Sequence, residues 1–110
     1  MGDGQHGWAA AEWILMIRNL FVREEGDRLI FGSGIFPEWL DDGEPVCFGP
    51  TLTTGGLLSV SVERKDGGVA LTIEADGKTT AVGAEARVPG CRPRIVTQYN
   101  QTNFLEALDV

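Results

Sequence analysis

The stretch that decides the fold is residues 56–75, GLLSVSVERKDGGVALTIEA. Apolar residues alternate with more polar ones on both sides of the 66–68 turn: Leu58, Val60 and Val62 before it, and Val69, Leu71 and Ile73 after it. Successive side chains of a strand point to opposite faces of the sheet, so this alternation predicts a β-hairpin with one face on a core and one toward water. The chain therefore contains a half-buried antiparallel sheet.

Further short segments with strand character, separated by turn residues, flank this hairpin. They are predicted at residues 20–23, 28–31, 46–50, 84–88 and 94–98, with a helical turn beginning at Pro37 and a last helical piece over 104–108. A parallel sheet would need helices between its strands, and this chain has room for only one long helix, at its beginning. We therefore predict an antiparallel β-sandwich of about seven short strands preceded by one N-terminal α-helix. A flexible leader over residues 1–7 and a single domain over residues 8–110 are expected.

Composition restricts the function classes. The 110 residues carry a formal net charge of −7, which repels phosphate backbones, so we expect no nucleic-acid partner. The apolar run from Trp8 to Ile17 is shorter than a membrane span and is interrupted by Glu12, so no membrane partner is expected. A secretion signal begins with a basic segment, whereas the first seven residues here hold no Lys or Arg. This difference indicates a cytoplasmic location. The two cysteines, Cys47 and Cys91, are too few for a disulfide scaffold and are expected to be buried thiols.

The N-terminal helix is apolar on two sides. With about 100° per residue, one apolar arc contains Ala10, Trp13, Ile14, Ile17 and Leu20, and a polar stripe contains Gln5, Glu12 and Asn19. A second arc, formed by Trp8, Leu15 and Met16, surrounds that stripe. The first arc can pack on the protein's own sheet, whereas the second needs a partner domain or a second copy, unless the C-terminal tail buries both arcs. The predicted partner interface is therefore Trp8, Glu12, Leu15, Met16 and Asn19.

The order of several motifs carries a family resemblance. GWAAAEWILMIRNLFVREEGDRLIFGSGI (7–35), PEWL (37–40), FGPTLTTGGLLSVSVE (48–63) and ARVPG (86–90) follow one another along most of the chain. This order resembles the C-terminal end of glycoside hydrolases whose catalytic domain is an α/α toroid. In that architecture the last toroid helix is followed by a C-terminal β-sandwich accessory domain. The final residues, QYNQTNFLEALDV, have no counterpart in the resemblance.

The resemblance implies a module without catalytic activity of its own. In such enzymes the catalytic carboxylates lie in toroid loops, and no position of this chain matches them, so no catalytic residue is assigned. A helix that touches toroid helices on one side and the sandwich on the other is expected to be apolar on two arcs. The partners implied are a hydrolase catalytic domain or, for a chain on its own, a second copy in a homo-oligomer such as a dimer.

Other chemistries have weaker signals. Glu24, Glu25 and Asp27 fall in one predicted turn and a second acidic group, at 41–44, in another, which is typical of solvated charge. His6 has no Cys or His near it in sequence, so no metal site or cofactor is predicted. One alternative function is carbohydrate binding, with Trp39 and Tyr99 as the candidate contacts, although a Trp in a short helical turn more often closes the end of a core. A less favoured alternative is a small enzyme that uses a loop carboxylate, for which the sequence offers no recognisable arrangement of nucleophile, base and orienting group.

Overall fold

The structure is a computed structural model that describes the backbone of residues 2–54, 56–75 and 80–108, and their side chains except at 2–11, 80–82 and 98. It begins with a long helix, α1 (Gly2–Phe21). The remaining elements are short: β1 (Val22–Glu25), β2 (Arg28–Phe31), a 3₁₀ turn (Pro37–Leu40), β3 (Val46–Thr53), β4 (Gly56–Lys65), β5 (Gly68–Ala75), β6 (Thr80–Ala86), β7 (Arg94–Gln98) and β8 (Gln101–Glu106). The predicted class, a mainly β domain with one N-terminal helix, is confirmed.

The strands form two four-stranded sheets. Sheet A has the order β1-β2-β6-β7, and sheet B has the order β3-β4-β5-β8. Neighbouring strands are antiparallel except β2 and β6, which pair in parallel. The prediction of an antiparallel β-sandwich is therefore confirmed in its layers, with eight strands among the described residues and one parallel pairing that the sequence pattern did not indicate.

The core lies between the inner faces of the two sheets. The hairpin of β4 and β5 supplies it with the alternating residues named above: Leu58, Val60, Val62, Val69, Leu71 and Ile73 are all buried. Sheet A contributes Phe31, Val96 and two small residues, Ala84 and Ala86. Removal of this apolar surface from water is the main contribution to the stability of the fold.

Several predicted boundaries are corrected. The helix begins at Gly2, so residues 2–7 of the segment expected to be a flexible leader are helical. β1 follows the helix at Val22, whereas the strand was predicted to begin at residue 20. The strand expected to end at Pro50 continues to Thr53, because β3 passes the proline through a register shift between Phe48 and Thr51. Since proline lacks an N–H donor, strands tolerate it where the ladder is irregular.

The C-terminal tail is a strand, so the helical piece predicted over residues 104–108 is wrong. β8 pairs with β5 from Gln101–Ile73 to Glu106–Gly68 and completes sheet B. Asn103 and Leu105 face the core, while Phe104 between them is exposed. Tertiary pairing with the edge of β5 decides the conformation of this segment.

A glycine-rich segment fixes the end of α1 to the sandwich. The last carbonyl groups of a helix lack partners within it, and here the N–H of Gly34 donates to the Leu20 carbonyl (3.0 Å) and the N–H of Gly32 donates to the Phe21 carbonyl (2.7 Å). A Cβ atom at Gly34 would lie 2.7 Å from the Leu20 Cα, so only glycine allows this approach. The motif GSG at 32–34 is therefore the anchor of the helix.

Candidate interaction surface

The chain's most unusual surface is the exposed part of α1. Trp13, Ile14, Leu15 and Met16 are consecutive, and between 52 and 61% of each residue is exposed. Four consecutive residues at about 100° each point in all directions around the helix axis. A helix that is apolar on all sides is normally buried on all sides. The sandwich leaves this one uncovered from Glu12 to Met16.

The division of α1 into a covered and an uncovered arc is wrong in part. Trp13 and Ile14, predicted to pack on the chain's own sheet, are exposed, whereas Ile17 and Leu20 pack partly against the core and Phe21 is buried. The anchor at residues 32–34 holds only the last turn of α1 against the sandwich, so the earlier turns, which include Trp13 and Ile14, are left exposed. The Phe21 ring stacks on Phe48 of β3, with 5.4 Å between ring centroids.

The residues predicted to form the partner interface lie at the surface wherever the structure describes them. Glu12, Leu15, Met16 and Asn19 are exposed, while the side chain of Trp8 lies outside the described residues. The alternative that the C-terminal tail buries both arcs is wrong, because that tail is β8 of sheet B. The uncovered surface is thus wider than the sequence analysis predicted, since it includes residues of both arcs.

Arg18 connects the helix to both sheets. Its guanidinium pairs with Glu24 of β1, and the same Nη2 atom donates to the Leu52 carbonyl of β3 (3.2 Å). The Arg18 side chain is mostly buried, and its Nε is a buried polar atom for which the structure shows no partner. The charge of Arg18 is therefore compensated within the chain, so it presents little free charge to an approaching molecule.

Leu52 and Leu57 extend the apolar surface from the helix onto the sheet. They lie directly opposite each other in the β3–β4 register, and both are on the outer face of sheet B, with exposures of 72 and 48%. Sequence reasoning missed both. The available signal was that Leu57 falls on the polar side of the alternation that places Leu58 in the core.

The two candidate carbohydrate contacts have different surroundings. Tyr99 is buried and packs edge-on against Phe31 with 6.3 Å between centroids, so its ring offers no surface for a sugar and this part of the prediction is corrected. Trp39 is 37% exposed, and its ring is perpendicular to the exposed Phe36 ring at 5.1 Å. The neighbouring Leu40, not Trp39, closes the core at this turn.

Acidic residues take part in local ion pairs and turns. Glu25 pairs with Arg23, Asp41 pairs with Arg64, and the Asp42 side chain accepts the Glu44 N–H (2.9 Å). Within the part of the chain that the structure describes, no group of three or more His, Cys, Asp or Glu residues could hold a metal ion. The side chain of His6 lies outside that part.

The two cysteines differ, and both are free. Cys91 is buried as expected, and its burial raises the pKa of the thiol above its ordinary value. Cys47 is exposed on the outer face of sheet B, so the prediction that it is a core residue is wrong. Its sulfur lies 3.5 Å from the Ser61 hydroxyl.

Within the described part of the chain, none of the helices combines the length and the apolar character that a membrane span needs. Comparisons with protein-family models, curated proteins and solved structures found no match. The features of the chain that bear on its function are therefore the exposed surface of α1 and the order of its motifs.

Proposed function

We propose that this chain is a non-catalytic interaction module, in which a β-sandwich holds an apolar helix for packing among other helices. The observation that carries the proposal is the exposure of Trp13, Ile14, Leu15 and Met16 around a complete turn of α1. A flat surface would cover one side of such a helix, whereas several neighbouring helices would surround it. The partner is therefore helical.

The motif order supports a specific source for those helices. Resemblance to the C-terminal end of α/α-toroid glycoside hydrolases implies that α1 takes the place of the last toroid helix. The partner is then the toroid catalytic domain of such a hydrolase, and this chain serves it as an accessory domain. A cytoplasmic location is part of the proposal and agrees with two free cysteines.

The expected strength of association follows from the exposed area. Complete burial of an apolar side chain contributes about 1.5–3 kcal/mol, so the exposed parts of these four side chains contribute roughly 3.5–7 kcal/mol on each copy. Association itself costs at least about 4 kcal/mol. In a preparation of this chain alone, other copies are the only source of helices. We therefore expect weak, concentration-dependent self-association through α1.

Measurement of molar mass tests the proposal. Light scattering of the purified chain from about 10 µM to about 1 mM should show a mass that rises above the 11.9 kDa monomer. The double variant Leu15→Asp/Met16→Asp should stay at the monomer mass with unchanged β-sheet circular dichroism. A matched control, Ile95→Asp/Leu108→Asp, makes the same charge change at exposed apolar residues outside α1 and should associate like the unmodified chain. A monomeric unmodified chain at the highest concentration would contradict the proposal.

Carbohydrate binding is a second candidate, favoured by the exposed pair of Phe36 and Trp39. Sugar rings stack on exposed aromatic faces, but two perpendicular rings do not form one flat platform. Titration with a panel of oligosaccharides separates the candidates: quenching of tryptophan fluorescence that disappears in Trp39→Ala supports a sugar site. A flat response across the panel removes this candidate and leaves the helix proposal unaffected.

A further inference from the structure

We propose that the docking surface extends beyond α1 to Leu52 and Leu57, and that its occupant in the isolated chain is α1 of a second copy. This inference rests on the proposed function, because it specifies which surface receives the partner helix. Each copy contributes to the interface the exposed helix residues 13–16 and the pair Leu52 and Leu57 at the end of the β3–β4 hairpin. Ile14 and Leu15 are the helix residues on the side of that hairpin.

Arg18 makes the two parts of this surface neighbours. Residues three and four positions apart share a face of a helix, so Ile14 and Leu15 lie on the same face as Arg18, one turn earlier. Arg18 donates to the Leu52 carbonyl at 3.2 Å, so the backbone of Leu52 lies next to the side chain that continues this face. Leu57 is paired with Leu52 in register and continues the apolar surface across the strand pair.

Electrostatics do not interrupt this surface. Arg18, the cation that links the two parts, pairs with Glu24 and is mostly buried. An apolar helix that approaches here therefore does not have to remove water from a free guanidinium group. Both leucines are on the water-facing side of sheet B, where 72% of Leu52 and 48% of Leu57 stay exposed.

The area of the surface agrees with what a stable interface needs. A standard interface buries about 800 Å² on each partner, a little more than half of it apolar. If a complete apolar side chain presents about 100–200 Å², the four helix residues Trp13 to Met16 expose roughly 230–460 Å². Leu52 and Leu57 add roughly 120–240 Å² on the same basis. The helix alone is at the lower limit of a standard interface, and the leucines bring it within the usual range.

The second copy fits this surface because of its own α1. That helix has exposed apolar residues on every side, so it can bury one side against its equivalent and another side against Leu52 and Leu57. In a twofold dimer, each copy would use the same residues, so that the α1 of each covers the hairpin leucines of the other. The proposal thus predicts that substitutions on a β-hairpin weaken an association between helices.

Sedimentation equilibrium of four chains provides the test: the unmodified chain, Leu52→Asp/Leu57→Asp, Leu15→Asp/Met16→Asp, and the control Ile95→Asp/Leu108→Asp. We expect the hairpin pair to weaken self-association at least tenfold, the helix pair to abolish it, and the control to leave it unchanged. Leu52→Ala/Leu57→Ala should weaken it about threefold, and this milder pair decides the question if the Asp pair loses its β-sheet circular dichroism.

The outcomes separate the two proposals. If the helix pair abolishes association while both hairpin pairs associate like the unmodified chain, the extended surface is wrong and the proposed function stands. If neither the helix pair nor a hairpin pair changes the association, both are overturned. A monomeric unmodified chain also overturns both.

Discussion

Replacement of Gly34 by alanine tests the anchor that positions α1. The Cβ added by Gly34→Ala would lie 2.6 Å from Leu20 Cδ2 and 2.7 Å from Leu20 Cα, where ordinary contacts begin at 3.4 Å. The side-chain atom can rotate away, but the Cα belongs to the helix backbone. The last turn of α1 must therefore move by about 0.7 Å or more, which strains the hydrogen bond from the Gly34 N–H to the Leu20 carbonyl.

The magnitude follows from these contacts. Insertion of one methyl group into a packed site costs about 1–3 kcal/mol, and loss of a backbone hydrogen bond adds about 1 kcal/mol. We expect Gly34→Ala to lower the free energy of unfolding by about 2–4 kcal/mol, and the midpoint of thermal unfolding by roughly 8–20 °C for a domain of this size.

The assay is thermal unfolding followed by circular dichroism in the Leu15→Asp/Met16→Asp background, so that self-association does not contribute. The double variant Leu20→Ala/Gly34→Ala distinguishes the cause, because Leu20→Ala removes Cδ2 but leaves the Cα in place. We expect Gly34→Ala to lower the free energy of unfolding by about the same amount in the Leu20→Ala chain as in the chain that keeps Leu20. An unfolding free energy of Gly34→Ala within about 0.5 kcal/mol of its parent would refute the steric argument, and so would full rescue by Leu20→Ala.

Three further results are expected. Burial raises the pKa of Tyr99, the chain's one tyrosine, so absorbance at 295 nm should show its phenol ionising only above pH 10.0, its ordinary pKa. The stability that the buried phenol contributes should be fully present below about pH 10 and decline above it. Ionisation at the ordinary pKa in the folded chain would contradict the burial of Tyr99. The exposed Cys47 should react with a thiol reagent at once, whereas Cys91, which is buried and has a raised pKa, should react only as the chain unfolds. Equal reaction rates of the two cysteines in the folded chain would contradict the burial of Cys91. Leu105→Ala, at a buried position, should lower the free energy of unfolding in urea by about 2–5 kcal/mol, whereas Phe104→Ala, at the exposed position beside it, should lower it by under about 1 kcal/mol. The reverse order would contradict the strand assignment of the tail.

Local patterns predicted the part of the fold that local forces determine. The alternation from Leu58 to Ile73 defines a hairpin, a core face and a water face without reference to the rest of the chain, and all three are present. The tail is different, because Phe104, Leu105 and Leu108 have the spacing of a helix face. Its conformation is decided by the free edge of β5, which is a property of the assembled sheet.

The candidate surface shows the same limit. Periodicity indicates that α1 is apolar on two arcs, but it does not say how much of the helix the sandwich covers. That depends on the approach of Gly34 to Leu20, a contact between segments that cannot be read from either one. The same contact explains why Trp13 and Ile14, expected to be covered, are exposed. Leu52 was not predicted for a related reason, since its position beside Arg18 is tertiary.

Hydrogen exchange of the α1 backbone at two protein concentrations tests most directly whether the cover of this helix comes from another molecule. A single uncovered helix is marginally stable in water, so at low concentration the amides of residues 12–16 should exchange quickly while those of β4 and β5 stay protected. At high concentration the protection of residues 12–16 should increase and that of the strands should remain the same. Equal protection of residues 12–16 at both concentrations would mean that the chain covers its own helix, and would contradict the interaction module proposed for it.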